Sequence, residues 1–236
     1  MHHQLLPSLF AEQLEHRYPQ RGRADHVAID SVSLAILPGH IGVIEGPSGG
    51  GKSTLLMILA GMLRPTRGRV ETLGTNPYQL TADKRSQFRR QHLGVVLPMF
   101  GLLPYLSASA NLRLVVNGPG RQERVDELLE KVGMANQADR LTDRLSTGER
   151  RRLLIARSLA HRPRLLLIDE PTANLDRENA DRIRDIIVTY VQQANRSSDP
   201  MGTAALIVTH ERADFFQATR VFTMRAGRLE PTNSGL

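Results

Sequence analysis

The segment Gly46-Pro47-Ser48-Gly49-Gly50-Gly51-Lys52-Ser53 constrains this chain more than any other. It fits G-x-x-x-x-G-K-[ST], the spacing of a loop that wraps around phosphate oxygens. Its glycines let backbone N–H groups turn inward with no Cβ in the way. A helix starting near Lys52 adds the positive end of its dipole. The Lys52 ammonium is then placed for the β and γ phosphates and the Ser53 hydroxyl for Mg²⁺, with Thr54 next in the same turn. The context agrees. Ile41 to Glu45 reads as a short buried strand running into the loop, and Thr54 to Leu63 as a helix leaving it.

A second element carries acid. Leu165-Leu166-Leu167-Ile168 is an apolar strand that ends in Asp169 and Glu170. An acid at a strand end is common and says little alone. Beside a phosphate loop, Asp169 suits the hydration shell of Mg²⁺, and Glu170 suits the polarisation of an attacking water.

Elsewhere the pattern alternates strands with helices. Val27, Ile29, Val32, Leu34 and Ile36 predict a strand with a slip near Ser31, closed by a turn at Pro38-Gly39. Leu93 to Leu97, Ala204 to Thr209 and Val221 to Met224 predict further strands, the last before a turn at Ala226-Gly227. Val125, Leu128, Leu129 and Val132 make one helical face that ends at Gly133, and Leu153 to Leu159 continue a helix begun near Gly148. Ile183, Ile186, Ile187, Tyr190 and Val191 make another face. Strands alternating with helices in the first and last thirds predict a mostly parallel sheet covered by helices. The helix-rich middle reads as an inserted lobe over residues 86–161, flanked by 1–85 and 162–236, and Asn195 to Gly202 reads as a linker.

Composition sets the bounds. With 236 residues the chain suits one large α/β domain. It has no cysteine, so disulfides and thiolate metal sites are excluded. The net charge of +7 is spread along the chain, and aromatic residues make up 4%, which gives no base-stacking platform and argues against a nucleic-acid partner. No apolar run approaches the roughly 20 residues of a membrane span. Residues 1–10 lack the basic and apolar regions of a secretion signal. The expectation is a soluble cytoplasmic chain, peripheral at a membrane and held there only by a partner.

The ordered set of motifs resembles the ATPase domain of ABC transporters over nearly the whole chain. Leu145-Ser146-Thr147-Gly148-Glu149 is similar to that family's signature, usually L-S-G-G-Q or L-S-G-G-E. Asn174-Leu175-Asp176, after Pro171-Thr172, resembles its D-loop. His210, in Ile207-Val208-Thr209-His210-Glu211, resembles its switch histidine, and Tyr18 stands where the family places an aromatic against adenine. Leu102-Leu103-Pro104, Ala110-Asn111 and Ala173-Asn174-Leu175-Asp176 resemble the lipoprotein-release, macrolide-export and cell-division group. The resemblance implies an α/β P-loop NTPase with a RecA-like, mostly parallel sheet, an N-terminal antiparallel β subdomain and an inserted helical lobe. It implies Mg²⁺ and ATP as ligands, and a head-to-tail homodimer with each ATP held between one phosphate loop and the other subunit's Ser146, Thr147, Gly148 and Glu149. It further implies separately encoded transmembrane permease subunits as partners.

Three positions depart from that pattern. The family's glutamine after the strand into the helical lobe falls at Pro98, which offers no side-chain oxygen. Gln91 lies before that strand and does not replace it. Thr147 stands where the signature has glycine, and His40 where the family often has glutamate. Pro98 leaves two readings of activity, an ATPase that drives a membrane partner or an ATP-gated clamp with weak hydrolysis. The resemblance also marks Met99, Phe100 and Leu102 to Leu106 as a docking surface for the membrane partner.

Overall fold

The computed structural model describes residues 6–22, 24–99, 101–196 and 202–231. Phe100 and most of the expected linker lie outside them. Leu9–Tyr18 (β1), His26–Ile36 (β2) and Arg67–Thr72 (β4) form an antiparallel sheet in the order β2-β1-β4. A second sheet takes in Ile41–Glu45 (β3), Leu93–Val96 (β5), Leu165–Asp169 (β6), Ala204–Thr209 (β7), Arg220–Arg225 (β8) and Arg228–Pro231 (β9). Its order is β5-β6-β7-β3-β8-β9, parallel except for the last pair.

The slip in β2 is real. Ser31 has φ 54, and the register against β1 shifts there. Its partner β1 had no clear alternation because Gln13, at φ 46, bulges out and breaks the two-residue period. β4 was illegible for a different reason. It opens Arg67-Gly68-Arg69, all exposed, and buries only Val70 and Thr72.

Lys52–Leu59 (α1) starts two residues earlier than its apolar face suggests and stops four residues sooner. Gly61, at φ 67, ends it, with Met62 N–H bonded to Met57 O at 2.9 Å. Ala82–His92 (α2) buries no side chain, so it had no stripe to read. Ala108–Arg113 (α3), Arg121–Lys131 (α4), Thr147–Ser158 (α5) and Arg177–Arg196 (α6) complete the helices.

The parallel sheet is apolar on both faces. Leu165 and Leu167 pack with α1, β1 and β2, whereas Leu166 and Ile168 pack with α3, α4, α5 and α6. That explains the uninterrupted apolar run of β6, which is buried throughout. The α3–α5 segment shares its apolar cluster with α6 and the sheet face.

Candidate functional site

Three parallel strands deliver the site. β7 lies between β6 and β3, with Glu45 in register with Thr209 and Asp169 with Val208. The residues just past these strand ends, Gly46, Glu170 and His210, therefore emerge side by side, at the carboxyl edge where open α/β sheets bind ligands.

The loop from Gly46 to Gly51 owes its course to backbone demands. Gly49 has φ 77 with open space around its missing Cβ, so its conformation alone requires glycine. Gly51 caps α1 at φ 98, and a Cβ there would lie 2.3 Å from Ala28 O. Lys52 is 6% exposed and folds back into the loop, donating to Gly46 O at 2.7 Å and Pro47 O at 2.9 Å. Tyr18, at the end of β1, reaches the first turn of α1, its hydroxyl 3.4 Å from Thr54 Oγ1 and its ring edge-on to His16.

Asp169 is 2% exposed, and its Oδ2 has no hydrogen-bond partner. The Ser53 hydroxyl stands near enough to the same carboxylate to favour its charged form. Burial pushes the Asp169 carboxyl above the ordinary carboxylate range, opposed by Ser53, Lys52, Arg151 and His210. A buried carboxylate with an unpartnered oxygen beside a hydroxyl, in ion-pair contact with no cation among the described residues, is an oxygen donor set suited to Mg²⁺.

Glu170 leaves β6 in a left-handed conformation, φ 47, with its N–H bonded to Val208 O at 2.9 Å. For a non-glycine residue such a conformation stores about 1–3 kcal/mol. It turns the carboxylate toward β7. His210 Nε2 lies 3.0 Å from Glu170 Oε1, the His210 N–H donates to Oε2 at 3.3 Å, and Ser48 Oγ lies 3.4 Å from the same Nε2. Burial also raises the Glu170 carboxyl, with His210 and Lys52 opposing it.

The signature residues sit elsewhere in the chain. Ser146 caps α5 in a reciprocal box, in which Ser146 Oγ accepts from Glu149 N–H at 3.2 Å and Glu149 Oε2 accepts from Ser146 N–H at 2.7 Å. Ser146 and Thr147 are exposed at the helix N-terminus, whereas Gly148 is buried. Asp176 is exposed and caps α6 by accepting from Asn179 N–H at 2.8 Å, which holds its carboxyl below the ordinary range. Among the described residues no hydrogen bond joins 146–149 or Asp176 to the phosphate loop.

Two neighbours of the site were not marked by the sequence. Glu45 Oε1 accepts from Ala213 N–H at 2.6 Å, tying the segment after His210 to the strand that feeds the phosphate loop. A carboxylate closing an apolar strand was its signal. Arg151, half-buried on α5, sits in the field of Asp169 and Glu170. It belongs to a run of three arginines, which by itself reads as surface charge. Pro98 is exposed in the turn after β5.

The profile of the ABC transporter family matches residues 29–173, more than half of the chain. The lipoprotein-releasing system ATP-binding protein LolD 1 of Rhodospirillum rubrum is 39% identical over 89% of this chain and 92% of its own length. The macrolide export ATP-binding/permease protein MacB of Rhodopseudomonas palustris is 35% identical over 91% of this chain, which spans 32% of that longer protein. Among solved structures, a dimer of the ATP-binding cassette MJ0796 in a post-hydrolysis state with ADP and Pi superposes with a TM-score of 0.83. It is 28% identical and covers 94% of this chain and 96% of its own.

Proposed function

The chain belongs to the ABC transporter family as an ATP-binding component, and from that premise we propose that it works as a head-to-tail homodimer hydrolysing Mg²⁺-ATP to drive a membrane permease. One observation carries the reading. Two sets of groups suited to phosphate, the loop with Lys52 and the exposed N-terminus of α5, have no hydrogen bond between them among the described residues. A second copy completes the site.

Within it, the loop from Gly46 to Thr54 cradles the phosphates, Lys52 exchanges its loop carbonyls for β and γ oxygens, and Tyr18 meets the adenine. Ser53 and Asp169 would hold Mg²⁺, which would neutralise phosphate charge when bound. Glu170 orients the attacking water and takes its proton, while His210, fixed by Glu170 and Ser48, faces the γ-phosphate. The partner's own α5 offers its N-terminal dipole and its signature residues from the other side. Pro98 removes one metal-facing side chain, and water fills that position readily for Mg²⁺. Nucleotide thereby shifts an open–closed equilibrium of the dimer.

Turnover per chain is expected to rise with chain concentration, because each site needs its partner. Steady-state phosphate release across a dilution series tests this. Constant turnover per chain in a species that sediments as a monomer would overturn the dimer reading. ATP-dependent dimerisation without phosphate release would favour the clamp instead.

Localisation follows from the partner. No helix among the described residues is long and apolar enough to cross a membrane, and we place the chain on the cytoplasmic face beneath separately encoded permease subunits. The docking surface is a groove of about 1490 Å³ between α2, β5 and α4, lined by Met57, Met62, Met99, Leu114 and Val116. Met99 and Leu114 are exposed apolar residues on it, and Tyr18 also lines it. Of the expected docking residues, Leu102 to Leu106 lie off the groove, with Tyr105 exposed in the loop that follows β5. Met99→Glu with Leu114→Glu should abolish co-purification with the permease and leave the turnover of the isolated chain unchanged. Intact assembly would move the docking surface elsewhere.

A further inference from the structure

Among the described residues, one side chain hydrogen-bonds to both of the elements that this chain would offer to its partner's nucleotide, the signature helix α5 and the loop carrying Asp176. Asn179 lies on the first turn of α6. Its amide nitrogen donates to Asp176 Oδ2 at 2.8 Å, and its amide oxygen accepts from Arg152 Nη1 on α5. The amide also lies against Gly148, where an added Cβ would sit 2.7 Å from both Asn179 Cγ and Oδ1. Arg152 is buried, 6% exposed, and its guanidinium only donates, whereas the Asp176 carboxylate only accepts. A group between the two must accept on one side and donate on the other. An amide does this, and neither a carboxylate nor an alkyl side chain does. The length also matters, since the amide must reach both partners while clearing Gly148.

Resting on the head-to-tail dimer proposed above, we propose that Asn179 is a positioning residue that keys Asp176 to the signature helix, so that both reach the partner's nucleotide as one rigid unit. Gly148 then has a task inside its own chain besides facing phosphate, which is to make room for the amide. The contact touches no part of the chain's own phosphate loop, so nucleotide binding by the monomer should not depend on it.

Asn179→Ala and Asn179→Asp separate this role from general stability. Both keep the backbone N–H that Asp176 caps, so α6 still starts in the same place. Alanine removes both side-chain bonds. Aspartate keeps an acceptor for Arg152 and sets a carboxylate against that of Asp176. The experiment places each in a Glu170→Gln background, which blocks turnover, and reads the ATP-driven dimer by sedimentation. ADP affinity of the monomer and the melting temperature are measured alongside. The dimer dissociation constant should rise about tenfold or more for both variants, as losing charge-assisted bonds predicts, with ADP affinity close to the parent's. Melting temperature should fall for Asn179→Ala, which leaves the buried Arg152 without its acceptor, and stay closer to the parent's for Asn179→Asp, which keeps one. Dimers as tight as the parent's overturn the inference. So does a loss of ADP affinity, or a dimer weakened only in the less stable variant, which marks a merely structural residue. A Glu170→Gln parent that fails to dimerise with ATP overturns the dimer reading itself, and this inference with it.

Discussion

Glu170→Gln is expected to lower steady-state ATP turnover by about 10²–10⁴-fold, the usual worth of a positioned general base, while ATP binding persists. The amide keeps the shape of the carboxylate and can still accept from the His210 N–H, but it takes no proton from water. The same change should raise thermal stability at neutral pH. Burial holds the Glu170 carboxyl above its ordinary range, so the folded state disfavours its ionised form. For such an acid the cost is fully present above the folded value and absent below the unfolded one, about 4.3. The variant's gain in melting temperature should therefore appear at pH 7–8, shrink as pH falls, and vanish below about pH 4. For the same reason the acid limb of the parent's pH–rate profile should sit above the ordinary glutamate range. A Glu170→Gln chain that hydrolyses ATP at the parent's rate would remove Glu170 from the mechanism. One that is less stable at pH 8 would mean that the strained turn at Glu170 needs the charge.

Lys52→Ala should act first on nucleotide binding, weakening it strongly, rather than on the chemistry. Lys52 is the cation in contact with the loop carbonyls, and it is nearly buried between them. Truncating one partner of a buried, hydrogen-bonded charge pair costs about 2–5 kcal/mol, a loss of roughly 30-fold or more in ATP affinity. Calorimetric titration with Mg²⁺-ATP reads this directly, and the loss of turnover follows from it. The two variants form a pair. Glu170→Gln keeps the ligand and loses the reaction, whereas Lys52→Ala loses the ligand first. Lys52→Ala binding ATP as the parent does would leave the loop backbone and helix dipole as the whole phosphate site.

The phosphate loop was legible because its chemistry is contiguous. Gly49 and Gly51 are set by local φ demands, and Lys52 and Ser53 follow in the first turn of one helix. The strands β3, β6 and β7 were legible because burial on both faces leaves uninterrupted apolar runs. β1 and α2 were not. A bulge at Gln13 breaks the period of one, and the other has no buried face. Glu170 and His210 were each marked separately, one by its strand end and the other by resemblance to a family, and no spacing between positions 170 and 210 encodes the contact between them.

The sequence by itself marked the glycine-rich loop before α1 as a phosphate cradle and β6 as the strand that brings acid, since these depend on neighbours along the chain. Tertiary structure alone decided that β7 would lie between β6 and β3, and so place His210 against Glu170 and Ser48. It alone set Arg151 within the field of the two acids and Asn179 between Asp176 and Arg152. The reason is physical. Strand order is settled by side-chain packing between segments far apart in the chain. The groups it brings together have no local period, cap or turn to announce them.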